Sequence, residues 1–81
     1  MQTVYYLVHW ESNRRIKYYR TLAGARIAMR LRNQHLGFEH RQGKVQENHC
    51  EYELYTVDNT TVRGTYCVEE DTLDSPDLVQ T

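Results

Sequence analysis

The sequence predicts an α+β domain in which an antiparallel sheet packs on one helix, in the order ββαββ. Stretches rich in β-branched and aromatic residues occur in two pairs, and turn residues interrupt each pair. Between the pairs, residues 21–37 carry apolar side chains at helical rather than strand spacing. At 81 residues the chain has room for one domain with a single core.

Residues 3–10 and 15–20 form the first predicted hairpin, because both are rich in strand formers and Ser12-Asn13 between them is turn chemistry. A three-residue loop groups one set of side chains on one face: Tyr5, Leu7, His9, Lys17 and Tyr19. It groups a second set on the other face: Val4, Tyr6, Val8, Trp10, Ile16 and Tyr18. A slip of one residue would exchange the faces of one strand.

The helix is predicted to follow Thr21, a good N-cap, and to end at Gly37, which suits a left-handed terminator. Its apolar arc is wider than the stripe that covers one sheet face. Arg32 lies inside this arc, so we expect its stem to pack and its guanidinium to reach water or an acid. The remaining polar side holds Arg26, Arg30, Asn33 and Gln34. This helix is either a core helix with one solvated basic face or a helix whose extra apolar width or basic face docks a partner.

The second predicted hairpin joins residues 51–57 to residues 62–69 through the turn Asp58-Asn59-Thr60. A three-residue turn groups one set of side chains on one face: Tyr52, Leu54, Thr56, Val62, Gly64, Tyr66 and Val68. Arg63 would then lie opposite or diagonal to Glu53 and form a favourable cross-strand pair.

Two further segments complete the chain. Residues 38–46 are predicted to be a polar connection that begins or flanks a strand. The acidic end contains the only proline, Pro76. We therefore predict one domain over residues 1–70 and a flexible acidic tail over residues 71–81.

The two halves of the chain carry opposite charge. In residues 1–45 nine Lys and Arg oppose two Glu, a net charge of +7, whereas in residues 46–81 one Arg opposes nine acids, a net charge of −8. Such asymmetry is typical of a nucleic-acid surface or of an acidic segment with a binding role. The alternative is that the two halves neutralise each other within the fold or between subunits.

The stretch from His9 to Arg20 has the composition that most strongly indicates a binding site. Its aromatic rings can stack on bases, and its Arg and Lys side chains can neutralise phosphates, as in surfaces that hold single-stranded nucleic acid. With the basic side of the helix it predicts one continuous binding patch. Its members are Tyr5, His9, Arg14, Arg15, Lys17, Tyr19, Arg26 and Arg30. The alternative is that these aromatics fill the core and the charges are solvated, since the stretch matches no RNP signature.

The sequence offers no catalytic, metal or cofactor motif, so we expect neither an enzyme nor a bound cofactor. His40, His49, Cys50 and Cys67 are zinc-ligand types, but their spacing fits no zinc motif. The two cysteines are expected to be free thiols in a reducing compartment. No apolar run reaches the ~20 residues that span a bilayer. With no signal-peptide pattern at Met1–Val8, these features predict a cytoplasmic protein without membrane contact.

This short, charged, motif-free chain, with seven tyrosines and a strand at its start, resembles the small accessory proteins that bacteriophages encode. The resemblance implies binding to a host or viral macromolecule, often as an inhibitor and often as a dimer, and it assigns no residue a role. We therefore expect a non-enzymatic interaction protein, a homodimer, that binds a protein target. The alternative is a nucleic-acid-binding module that uses the basic hairpin and the basic helix side.

Overall fold

A computed structural model describes residues 1–73 as a five-stranded antiparallel sheet with one helix. The elements are β1 (Gln2–His9), β2 (Arg14–Tyr19), α1 (Leu22–His35), β3 (Arg41–Glu47), β4 (Cys50–Val57) and β5 (Thr60–Leu73). The strands lie in the order β2-β1-β5-β4-β3, and each neighbouring pair is antiparallel. The α+β class is confirmed, whereas the order ββαββ is wrong and the observed order is ββαβββ.

The additional strand is β3, which occupies most of the segment predicted to be a polar connection. Every residue of β3 is exposed, because it is an edge strand that α1 does not cover. A strand that is exposed on both faces needs no alternation of apolar and polar residues. Hydrophobic periodicity in the sequence therefore could not predict β3. The two-residue turn Asn48-His49, with both residues at positive φ, joins β3 to β4.

The register of the β4–β5 hairpin differs from the prediction by one residue. The turn is Asp58-Asn59 alone, and Thr60 already pairs with Val57. As a result Tyr55 faces Val62. A register shift between Tyr52 and Leu54 then places Glu51 opposite Val68. The predicted grouping put the two members of each of these pairs on opposite faces. The predicted ion pair of Arg63 with Glu53 is also wrong. Arg63 instead contacts Glu47, with Nη2 2.6 Å from Oε2.

In the first hairpin the predicted face containing Tyr5, Leu7 and Tyr19 is confirmed, since these residues pack with α1. Ile16 is the exception. The β1–β2 register shifts between Leu7 and Val8, and Ile16 packs on the α1 side rather than beside Val8. The alternation of apolar and polar residues in the sequence does not reveal a one-residue bulge of this kind.

The helix ends are those predicted. Thr21 is the N-cap, and its Oγ1 accepts a hydrogen bond from the Gly24 amide at 3.1 Å. Gly37 has φ 96° and follows the C-cap residue Leu36. One prediction on the polar side is wrong: Asn33 is fully buried.

The sheet is apolar on both faces near β1 and β5. On the helix face, Leu7 and Val68 pack against Ala25 and Met29 of α1. On the opposite face, a second cluster contains Val8, Cys50 and Cys67, with Tyr6, Trp10 and Tyr52 around it. The long strand β5 thus contributes to both clusters and extends through Leu73, past the predicted boundary at residue 70. The rest of the predicted tail, residues 74–81, lies outside the described residues.

Candidate docking groove

Three of the eight predicted binding residues are held by carboxylates of the acidic half. Arg26 binds Glu51 in a bidentate pair, with Nε 2.8 Å from Oε2 and Nη2 2.7 Å from Oε1. Arg30 Nε lies 3.0 Å from Oε2 of Glu53, a carboxylate that is 2% exposed. These pairs connect α1 to β4 and leave the two arginines poorly available to an external ligand.

Arg15 is engaged in the same way on the opposite face of the sheet. Its Nε lies 2.9 Å from Glu69 Oε1, and its Nη2 lies 2.6 Å from Asp71 Oδ2. The guanidinium also covers the ring of Tyr6 at 4.1 Å from the centroid. Because Arg15 and the α1 arginines are on different faces, the structure does not bring the predicted patch together as one continuous surface.

These contacts have electrostatic consequences. The hydrogen bonds from Arg26 lower the pKa of the Glu51 carboxyl from its ordinary value, because they stabilise the ionised form. The pKa of Arg15 is raised, chiefly by its hydrogen bond to Glu69. Much of the charge asymmetry between the two halves is therefore matched inside the fold.

Two predicted stacking platforms are part of the core periphery. Tyr5 and Tyr19 are half-buried and pack against the cluster beneath α1. The ammonium of Lys17 lies 5.3 Å from the centre of the Tyr19 ring. This placement matches the alternative in which the aromatics fill the core of a small domain.

The remaining predicted residues lie on the helix face of the first hairpin, with His9 and Arg14 next to the β1–β2 turn and Lys17 opposite Leu7. His9 pairs with Arg14 on one side and with Tyr66 on the other. The His9 and Tyr66 rings meet edge to face, with centroids 5.5 Å apart. Arg14 and Lys17 are exposed, and neither forms an ion pair with a carboxylate among residues 1–73.

Tyr66 is also part of a groove beside the C-terminal half of α1. Its volume is about 510 Å³. We call it the α1 groove; it is lined by Ala28, Leu31, Arg32, His35, Leu36 and Tyr66. The guanidinium of Arg32 lies 5.5 Å from the centre of the Tyr66 ring, and it too forms no ion pair within the described residues. The groove therefore combines an apolar wall with positive charge that the described part of the fold does not neutralise.

The apolar wall continues onto the outward surface of α1. Ile27, Leu31 and Leu36 are 58%, 53% and 55% exposed. Ile27 and Leu31 are one turn apart, and they project away from the buried residues Ala25 and Met29. Neighbouring exposed aliphatic side chains on one helix face are typical of a surface that docks another molecule.

A second cavity, of about 370 Å³, lies at the other side of α1. Its arginines, Arg30 and Arg41, both bind the buried Glu53, at 3.0 Å each. Their charge is thus already shared with a carboxylate, and Phe38 packs on Tyr55 beside them. This polar cavity is a weaker candidate than the α1 groove.

Among residues 1–73 no cluster of three or more His, Cys, Asp or Glu side chains could hold a metal ion. Within the same residues, no helix has the length and apolar character needed to cross a membrane.

Comparisons with known proteins give no relative. The scan of family models found no match, and no curated protein or solved structure matched the chain significantly.

Sequence reasoning missed Arg32, His35 and Tyr66 as site residues. One signal for the first was present, because Arg32 stood inside an apolar arc that was wider than the sheet required. Tyr66 could not be found this way, since its neighbours His9 and Arg32 reach it only through the sheet order and the packing of α1.

Proposed function

We propose that this protein is a non-enzymatic interaction module that binds a protein target through the α1 groove and the adjoining outward face of α1. The observation that carries the proposal is the row of exposed aliphatic side chains, Ile27, Leu31 and Leu36, beside an aromatic floor. In water these side chains keep apolar surface exposed, and covering it would contribute roughly 25 cal/mol for each Å² buried.

The charge around the groove indicates the chemistry of the partner. Arg14, Lys17 and Arg32 lie on the same side of the fold as Tyr66, without an ion-pair partner in residues 1–73. A segment that places large apolar side chains on the groove and Asp or Glu beside them would match both features. We therefore assign the groove to an acidic, amphipathic segment of a protein partner.

The alternative function is nucleic-acid binding by the same cations. Exposed Arg14 and Lys17 could neutralise phosphates, and His9 and Tyr66 offer rings near them. The engagement of Arg15, Arg26 and Arg30 by carboxylates reduces the charge available for this role. A nucleic-acid site would also leave the aliphatic face of α1 without a use.

Selection of peptides from a random library on the immobilised protein tests the proposal. We expect enriched peptides to combine Leu, Ile or Phe with flanking Asp or Glu. Their binding should weaken roughly tenfold or more with Leu31→Glu, because the charge enters the apolar wall. Val45→Glu is the matched control, since Val45 is an exposed apolar residue on the distant strand β3.

A parallel titration with labelled oligonucleotides at two salt concentrations separates the two functions. Tight binding that weakens steeply with salt and is lost in Arg14→Glu would favour the nucleic-acid function. Enriched peptides that bind the wild type and Leu31→Glu equally would contradict the protein-docking proposal.

We also propose the finer assignments that follow from the sequence: a cytoplasmic location, a homodimer and an inhibitory effect on the target.

A further inference from the structure

The face of the sheet opposite α1 contains a pair of free thiols in contact with each other. Cys50, the first residue of β4, and Cys67, in β5, are 6% and 0% exposed. Their Sγ atoms lie 3.2 Å apart. A disulfide bond is ~2.05 Å long, so an approach of about 1.2 Å between the sulfurs would join them.

Strand pairing explains why two cysteines separated by a whole hairpin meet. Cys50 lies opposite Glu69, and Cys67 lies opposite Tyr52, so the two cysteines are diagonal neighbours on adjacent strands. Both point to the same face, into the cluster with Val8. Side chains at diagonal positions are within reach of each other across an antiparallel pair.

The two thiols are not chemically equivalent. Cys67 donates its S–H to Cys50 Sγ. This hydrogen bond lowers the pKa of Cys50, because it stabilises the Cys50 thiolate. The pKa of Cys67 is raised, first because Cys67 donates its proton in this hydrogen bond and second because its thiol is buried. Cys50 is also the more exposed sulfur, and it lies directly after the exposed Asn48-His49 turn. It is therefore the thiol placed to react first.

We propose that Cys50 and Cys67 form a reversible oxidation site, which a peroxide oxidant converts into an intrachain disulfide. In the first step the Cys50 thiolate attacks one peroxide oxygen, the O–O bond breaks, and Cys50 becomes a sulfenic acid while hydroxide leaves. In the second step the Cys67 sulfur attacks the Cys50 sulfur, and the S–O bond breaks with release of water. Overall two thiols and one hydrogen peroxide give one disulfide and two waters.

The oxidation site is separate from the α1 groove. The disulfide would link β4 to β5 on the face of the sheet that α1 does not cover. Within a reducing compartment such a bond would be transient, and a dithiol reductant would restore the thiols. The inference rests on the geometry, burial and unequal pKa values of the two thiols, and it is independent of the proposed docking function.

The experiment is a titration of the folded wild-type protein with hydrogen peroxide, followed by tryptic mapping without reduction. Trypsin cleavage after Lys44 and Arg63 separates the two cysteines into the peptides 45–63 and 64–81. We expect these peptides to appear as one disulfide-linked species, lighter by two hydrogen atoms than their sum. Treatment with dithiothreitol should return both peptides with free thiols.

Single variants provide the controls. In Cys67→Ser the reaction should stop at the sulfenic acid, so dimedone should label Cys50, and no linked peptide should form within the chain. In Cys50→Ser, Cys67 should react much more slowly than Cys50 does in Cys67→Ser. Two outcomes for the wild-type protein would overturn the proposal: peroxide oxidises the thiols but no linked peptide forms, or peroxide leaves the thiols of the folded protein unchanged. Both outcomes are measured on the wild type, so they decide the matter even if either variant fails to fold.

Discussion

The side chain of Asn33 connects the helix to the sheet. Its Oδ1 accepts a hydrogen bond from the Tyr66 amide at 3.0 Å, and its Nδ2 lies 3.3 Å from the Tyr66 carbonyl oxygen. Nδ2 is also 3.4 Å from the hydroxyl of Tyr55, which donates to Glu53 at 3.0 Å. Every member is satisfied, so this buried polar network costs little and fixes how α1 sits on β5.

Gly64 is the residue that makes room for this network. A Cβ added at Gly64 would lie 2.6 Å from Asn33 Nδ2 and 2.8 Å from the Tyr55 ring. We expect Gly64→Ala to lower the free energy of unfolding by about 1–3 kcal/mol, because neither neighbour can move without losing its contacts. Urea denaturation of both proteins measures this difference.

Gly43 offers the matched control, since no atom of the part of the chain that the structure describes lies within 4 Å of a Cβ built there. Gly43→Ala should change the free energy of unfolding by less than about 0.5 kcal/mol. Equal stability of the two alanine variants would show that Gly64 is not needed for the close approach of α1.

At the scale of elements, two short turns set the register of the acidic half. Asn48-His49 joins β3 to β4, and Asp58-Asn59 joins β4 to β5, with all four residues at positive φ. Two-residue turns in which both residues have positive φ match the right-handed twist of the flanking strands, and they are therefore favoured in hairpins. Asn, Asp and His are the non-glycine residues found most often in this backbone region. His49, at φ 65°, still carries the Cβ penalty of the left-handed conformation, without the short polar side chain by which Asn and Asp offset it.

Replacing His49 by glycine should therefore stabilise the protein. We expect His49→Gly to raise the free energy of unfolding by up to about 1 kcal/mol, since glycine adopts positive φ without a Cβ penalty. Thermal unfolding and urea denaturation are the measurements. Asn59→Gly, in the sister turn, should give a smaller gain, and a loss of stability in His49→Gly would indicate that the His49 side chain makes a contact of its own.

Elements also explain which parts of the fold were predictable. The helix limits followed from Thr21 and Gly37, because capping is local chemistry. The turn at Asp58 was found, but its length was not, and a one-residue error there put Tyr55 and Val62 on opposite faces, although the two residues pair. Alternation cannot detect such an error, since both registers present an apolar side chain to each face.

At the scale of the molecule, opposite charges of the two halves meet across the sheet and helix. Arg26 and Lys44 contact Glu51, and Arg30 and Arg41 contact Glu53. The opposite net charges of the two halves are thus largely matched by ion pairs between them. Arg14, Lys17 and Arg32 have no carboxylate partner among residues 1–73 and lie on the helix face of the sheet, and Arg32 lines the α1 groove.

Stability should consequently depend on pH in the acid range. The pKa of Glu51 is lowered from its ordinary value of 4.5 by Arg26, so its stabilising contribution is fully present above pH 4.5. It is lost as the pH falls through the lower pKa of the folded state. Urea denaturation from neutral pH downward measures the effect. Glu51→Gln should be less stable at neutral pH and less sensitive to acid; an unchanged acid dependence would show that other carboxylates control it.

The sequence by itself determined the α+β class, the helix with its caps, the first hairpin and the excess apolar width of α1, because these depend on local composition and periodicity. Only the tertiary structure decided the fifth strand, the hairpin registers, and which cations have no carboxylate partner within residues 1–73. It alone brought Cys50 to Cys67 and Tyr66 to Arg32. These features depend on contacts between residues far apart in the chain, where neither propensity nor spacing specifies the partner.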